Sequence, residues 1–151
     1  MEAFLKWAGG KRWLLNKADK LLPDMSLTNR YIEPFLGGGS IFFHLEPKVA
    51  LLSDLNEDLI NTYIVMRDNW YDLFKILKNY HTQHSQDFYY KIRASKPRTS
   101  IYKAARFIYL NRTCWNGLYR VNKKGEFNVP IGTKNNVILN NDNFEQLSHL
   151  L

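Results

Sequence analysis

The sequence predicts an α/β fold, and three observations carry that prediction. Within residues 30–56 an apolar strand, a glycine-rich loop, a short helix and a second strand ending in an acidic residue follow one another. Apolar residues then recur at helical spacing from Glu57 to Tyr80. Further on, two short β-prone runs flank a basic turn, Asn122-Lys123-Lys124-Gly125.

The bulk properties suit one domain, or a small core with an appended module. The chain has 151 residues, 45% of them hydrophobic and 15% aromatic. Its formal net charge of +7 favours a polyanionic partner, because clustered basic residues neutralise phosphates and release counterions. The single cysteine, Cys114, excludes an internal disulfide and a cysteine-based zinc site. His44, His81, His84 and His149 are scattered and suggest no metal centre. No secretory leader pattern opens the sequence and no apolar stretch spans a bilayer, so a cytoplasmic, DNA-associated protein of bacterial or phage type is expected.

In chain order, a first helix is expected through Leu14, Leu15, Ala18, Leu21 and Leu22, ended by Pro23. A strand at Arg30–Ile32 leads into Glu-Pro-Phe-Leu-Gly-Gly-Gly-Ser at 33–40. A helix from Ile41, a turn at Pro47 and a strand at 49–53 follow, closing at Asp54. The long helical run carries a break near Asp68-Asn69. Helices near Phe88–Arg93 and from Thr99 or Ser100 to Leu110 complete a cluster whose aromatic stripe reads as core. Tyr119–Val121 and Glu126–Val129 read as hairpin strands, and Val137–Leu139 as another strand. Asp142 or Asn143 is expected to cap a last helix with Phe144, Leu147 and Leu150.

The glycine loop lets backbone amides approach a nucleotide-like ligand, and Asp54 is placed to accept hydrogen bonds from ribose hydroxyls. The loop fits neither G-x-G-x-x-G nor a G-K-[ST] phosphate loop, which argues against NAD and ATP. Taken alone it is equally a tight turn beside a capping carboxylate.

More specific is the combination of Phe-Leu-Lys-Trp-Ala-Gly-Gly-Lys at 4–11, the glycine-loop motif at 33–40 and Ser-Asp-Leu-Asn at 53–56. Tyr-Leu-Asn-Arg at 109–112, Asn-Gly-Leu at 116–118 and Gly-Glu-Phe-Asn-Val-Pro-Ile-Gly at 125–132 follow in the same order. Together these resemble the Dam-like, D12 class N6-adenine DNA methyltransferases over essentially the whole chain. The resemblance implies a partial Rossmann-like S-adenosylmethionine-dependent methyltransferase fold with an inserted helical and β-hairpin target-recognition module. Residues 1–56 would be the S-adenosylmethionine-binding part, 57–136 the recognition module and 137–151 a return to the core. It places Trp7, Ala8, Gly9, Lys11, Glu33, Phe35, Gly37, Gly39, Ser40 and Asp54 at the S-adenosyl-L-methionine site. An indole can stack on a flat or cationic group, and an ammonium can hold a carboxylate.

A hairpin with basic, amide and aromatic side chains can enter a DNA groove. Arg112, Trp115, Asn116, Leu118, Arg120, Asn122, Lys123 and Lys124 make such a set, and either Leu118 or Trp115 could wedge into the base stack. The resemblance adds Lys6 as a base contact and makes double-stranded DNA the partner. Cys114 and Trp115 depart from the commoner Gly-Tyr pair of the family, so a GATC-like target does not follow for this chain.

The family's transfer of a methyl to an exocyclic amine uses a D-P-P-Y-type motif that holds the flipped adenine. No such tetrapeptide occurs here, since Pro23, Pro34, Pro47, Pro97 and Pro130 are all isolated. No catalytic residue is therefore assigned within this chain. A split enzyme is expected, a heterodimer whose partner chain brings D-P-P-Y and the remaining sheet strands and covers the exposed edge near Ile32. The alternative is a non-catalytic DNA-binding or regulatory module, or a truncated fragment of such an enzyme.

Overall fold

The computed structural model describes residues 1–17, 21–22 and 29–151. The expected first helix is represented by α1, Arg12–Leu15. Ala18 and Pro23, on which its continuation and end were argued, lie outside the described residues.

The glycine-loop unit forms as read. β1 (Tyr31–Glu33) runs parallel to β2 (Ala50–Leu52), in register Tyr31 to Ala50, Ile32 to Leu51 and Glu33 to Leu52. Between them lies α2 (Ser40–Leu45), capped at its start by Gly39 in the left-handed region. A helix between two parallel strands is the required crossover for that pairing. Alternation along the strands sends Glu33 inward, while Ile32 and Leu51, on the other face, are each 57% exposed.

The bulk of the core is helical. α3 (Glu57–Gln83) starts at Asn56, whose side chain accepts the Leu59 amide at 3.0 Å. It breaks its geometry at Asn69 (φ −138°, ψ 32°), where the sequence predicts an interruption. Leu59, Met66, Leu73 and Leu77 are fully buried along one stripe. That stripe packs on α5 (Ser100–Thr113), where the buried Ala104 and Ala105 leave room for close approach. α4 (Gln86–Ala94) begins with Ser85 accepting the Phe88 amide at 3.2 Å. α6 (Phe144–Leu150) begins with Asn143 accepting the Gln146 amide at 3.0 Å and packs against α3. No helix among the described residues is long and apolar enough to cross a membrane.

Three expected strands take another form. Residues 119–129 make a hairpin-shaped turn with a single bridge, Val121 to Phe127, and a second bridge joins Cys114 to Ile131. A tight turn at Trp115–Gly117, with Asn116 at φ 54°, precedes this segment. Val137–Leu139 is not a strand. The amides of Val137 and Ile138 both donate to His81 Nδ1 at 3.2 and 3.3 Å, and the Val137 carbonyl accepts from Arg112 at 2.8 Å. Side chains thus satisfy the backbone groups that a neighbouring strand would otherwise take.

Candidate cofactor cradle and nucleic-acid interface

The cradle is assembled where β1 and β2 end. Asp54 follows β2, and its Oδ2 accepts the Gly37 amide at 2.9 Å while Oδ1 accepts the Asn56 amide at 3.0 Å. A carboxylate offers about four acceptor directions, so each oxygen keeps one for a ligand donor. Gly37 sits at φ 54°, and a Cβ built there would lie 2.8 Å from Trp7 Cδ1. Only glycine allows the loop to turn under the indole at that distance. Trp7, Gly37 and Asp54, distant in sequence, therefore share one wall.

Glu33 closes the floor and is buried. Its Oε2 accepts the Tyr31 hydroxyl at 2.7 Å. Lys11 Nζ lies 3.0 Å from Oε1 and donates at 2.6 Å to the Phe35 carbonyl. The Lys11 approach to Oε1 satisfies the ion-pair distance but not hydrogen-bond alignment, leaving Oε1 a buried acceptor with no aligned donor among the described residues. The Tyr63 hydroxyl, raised well above the usual phenol range by burial and then by the Glu33 and Asp54 charges, stays protonated and donates to the Gly37 carbonyl at 3.0 Å. Phe35, Ala8 and Gly9 are exposed at the rim, and Ser40 opens α2 beside the loop.

The second group of predicted residues begins one position before Trp7. The Lys6 amide donates to Asn111 Oδ1 at 2.9 Å, and Asn111 Nδ2 returns a bond to the Lys6 carbonyl at 2.7 Å. Gly117, at φ 64°, packs under the Lys6 side chain, where an added Cβ would lie 2.7 Å from Lys6 Cδ. Trp7 stacks on Tyr119 (5.5 Å, 23°) and on Phe107 (6.2 Å, 20°). One aromatic stack thus joins the cradle to the base of the basic turn. Trp115, Asn116, Arg120, Lys123 and Lys124 are exposed and Leu118 is half-buried. Arg120 Nε is held by Asn128 Oδ1 at 2.8 Å.

Two predicted DNA contacts are corrected. Arg112 is 5% exposed. Its Nη2 bonds Asp142 Oδ1 at 2.8 Å and the Phe4 carbonyl at 3.1 Å, and its Nη1 takes Asp142 Oδ2 and the Val137 carbonyl. It ties three chain segments together and presents nothing to a groove. Asn122 spends its amide on the turn: Oδ1 accepts from the amides of Lys124 and Glu126, and Nδ2 donates to Glu126 Oε2 at 3.1 Å.

Asn111 and Lys134 stand beside Lys6 and are not singled out by the sequence. Asn111 stands in the Tyr-Leu-Asn-Arg run at 109–112, but only the fold reveals what its amide clasps. The neighbouring Lys134 side chain, followed by burial, lowers the Lys6 ammonium to about 8. Burial pushes the Cys114 thiol up to about 11, so it behaves as a core residue.

Comparison with known proteins supplies the context. Residues 7–151 match the sequence model of the D12 class N6 adenine-specific DNA methyltransferases. The chain is 40% identical, over its whole length, to 55% of the Type II methyltransferase M1.LlaDCHI of Lactococcus lactis subsp. cremoris. It is also 40% identical, again over its whole length, to 59% of the Type II methyltransferase M.MjaIII of Methanocaldococcus jannaschii. Over 86% of its length it is 37% identical to 47% of the DNA adenine methylase of Escherichia coli K12. The chain thus spans roughly half the length of these relatives.

Proposed function

This chain belongs to the D12 class of N6 adenine-specific DNA methyltransferases, and we propose that it is the part of such an enzyme that holds S-adenosylmethionine and reads duplex DNA. Residues 1–56, rejoined by 137–151, form the cofactor part, and 57–136 form the recognition module. When bound, S-adenosylmethionine supplies the electrophilic methyl of its sulfonium group. The remaining acceptor directions of Asp54 suit the two ribose hydroxyls. The unaligned Oε1 of Glu33 and the adjacent Lys11 ammonium suit the amine and carboxylate of the methionine moiety. Trp7, fixed over Gly37, offers an aromatic wall. Lys6, Trp115, Asn116, Leu118, Arg120, Lys123 and Lys124 present the exposed set that meets the duplex.

The observation that carries this reading is the convergence of Trp7, Gly37 and Asp54 in one wall, with a buried unaligned carboxylate oxygen below it. The methyl-transfer step needs a D-P-P-Y-type segment, absent from these 151 residues. We assign that segment to sequence outside these 151 residues, in a complementing chain or in the same one, which would add strands beside β1 and β2. Ile32 and Leu51, paired across the two strands and 57% exposed, mark an apolar sheet face that elements accompanying those strands would cover. Equilibrium binding of S-adenosylmethionine tests the cofactor assignment. Asp54→Ala is expected to weaken binding at least tenfold and, because it also removes the bonds to the Gly37 and Asn56 amides, to lower the melting temperature. Equal affinity in wild type and variant would defeat it.

A further inference from the structure

Tyr31 belongs to none of the site residues above, yet its hydroxyl reaches the floor of the cradle, where it donates to Glu33 Oε2 at 2.7 Å. The two residues stand two apart on β1, so their side chains leave the same face of the strand. Their backbones are fixed against the neighbouring strand. The Tyr31 amide donates to the Val49 carbonyl at 2.9 Å, and the Glu33 carbonyl accepts the Ser53 amide at 3.0 Å. The ring of Tyr31 packs on that of Phe42 in α2, with centroids 6.4 Å apart. The β1–β2 ladder and this contact therefore set the distance between phenol and carboxylate.

Glu33 is a charge in a costly place. A carboxylate only 5% exposed needs donors or a cation around it. Its two oxygens are served differently. Oε2 has the phenol. Oε1 has the Lys11 ammonium at 3.0 Å without hydrogen-bond alignment, because Lys11 donates at 2.6 Å to the Phe35 carbonyl. Phe35 leads into the glycine loop, so the oxygen without an aligned donor is the one turned toward the cradle.

The phenol suits the task. Burial, then its hydrogen bond to Glu33 and the charge there, raise Tyr31 far above the usual phenol range, so it remains a donor. Being neutral, it orients the carboxylate without cancelling its charge, as a second cation would. Without it, Oε2 has no donor among the described residues, and the carboxylate is free to turn both oxygens onto Lys11.

We propose that Tyr31 is a positioning residue for S-adenosylmethionine, its hydroxyl holding Glu33 so that Oε1 meets the ammonium of the methionine moiety. This rests on the cofactor site proposed above. Tyr31 acts through Glu33 and does not touch the cofactor. It raises affinity by orienting the carboxylate before the ligand arrives, so that little side-chain freedom is lost on binding.

The test is titration calorimetry on the wild-type protein, Tyr31→Phe, Glu33→Gln and the double variant. Two ligands are used: S-adenosylmethionine, and 5′-methylthioadenosine, which keeps the nucleoside and lacks the amino acid. Phenylalanine retains the ring against Phe42 and removes the hydroxyl alone. Tyr31→Phe is expected to weaken S-adenosylmethionine about tenfold, the scale of a lost hydrogen bond to a charged group, and to leave 5′-methylthioadenosine unchanged. In the Glu33→Gln background the same change is expected to add no further loss, because residues that act as a unit are not additive. Unaltered S-adenosylmethionine affinity in Tyr31→Phe would overturn the positioning role alone. So would an equal loss for both ligands, an unfolded variant included, or a full tenfold loss on top of Glu33→Gln. If the wild type takes up S-adenosylmethionine and not the thioether, the double variant decides. A wild-type protein that binds neither ligand would remove the cofactor site and the role of Tyr31 with it.

Discussion

Replacing Gly37 by alanine tests the cradle at its tightest point. Two costs arise from the geometry. The residue sits at φ 54°, a left-handed conformation that costs a non-glycine residue about 1–2 kcal/mol. The new methyl would also stand 2.8 Å from Trp7 Cδ1, so the indole must shift or the loop must lift. Lifting the loop stretches the 2.9 Å bond from the Gly37 amide to Asp54, and a hydrogen bond to a charged group is worth about 1.5–3 kcal/mol. Moving the indole instead breaks its stack on Tyr119. Either way the cofactor wall is lost. Gly125→Ala is the control, at φ 76° with open space around the added carbon, so it carries the backbone cost alone. Circular dichroism melts and S-adenosylmethionine titration calorimetry should be run on both variants. Both are expected to lose about 1–2 kcal/mol of stability from the backbone, with Gly37→Ala losing more. Only Gly37→Ala should also weaken cofactor binding by tenfold or greater. If Gly37→Ala matches Gly125→Ala in both measurements, the account of the cradle is wrong.

Two further outcomes follow from individual side chains. Arg112→Ala strands Asp142 in a buried site, where removing one partner of an ion pair costs about 3–5 kcal/mol, and melting should fall by on the order of 10 °C. A DNA-contacting Arg112 would instead leave melting unchanged and weaken only duplex binding. Lys6, lowered to about 8 from an ordinary 10.5 by the Lys134 amine, then burial and the neighbouring positive charges, binds fewer protons folded than unfolded between those values. Stability therefore rises with pH across that window, and its penalty is full below about 8. A nearby phosphate raises the Lys6 ammonium again, so duplex binding just above pH 8 should take up protons. Calorimetry in two buffers of different ionisation enthalpy reads this uptake, and Lys134→Ala should abolish it. Equal heats in both buffers for the wild type would contradict the pairing.

Much of the architecture is written in local chemistry. Asn56, Ser85 and Asn143 cap helices because each precedes an apolar periodic run, and their side-chain oxygens reach an amide three residues on. The β1–α2–β2 unit is legible because a glycine loop between two apolar runs, closed by Asp54, has few other foldings. Most of the failures share a cause in long-range partners. Arg112 reads as a surface charge because Asp142, which neutralises it, lies 30 residues away. Val137–Leu139 reads as a strand because its apolarity is visible, while the His81 ring that takes its amides lies 56 residues earlier. Asn122 shows a local failure: a side chain that shapes its own turn resembles one offered to a ligand. Asn111 clasps a segment 105 residues away, and no sequence window contains both.

The central claim is that these residues hold the cofactor cradle and the DNA-reading surface proposed above, while the adenine pocket is supplied by a segment outside these 151 residues. Transfer of a radiolabelled methyl from S-adenosylmethionine to adenine in duplex DNA measures this directly. The chain alone should bind the cofactor and transfer no label, and adding a chain that carries D-P-P-Y should restore transfer. Full transfer by the 151 residues alone would contradict the claim.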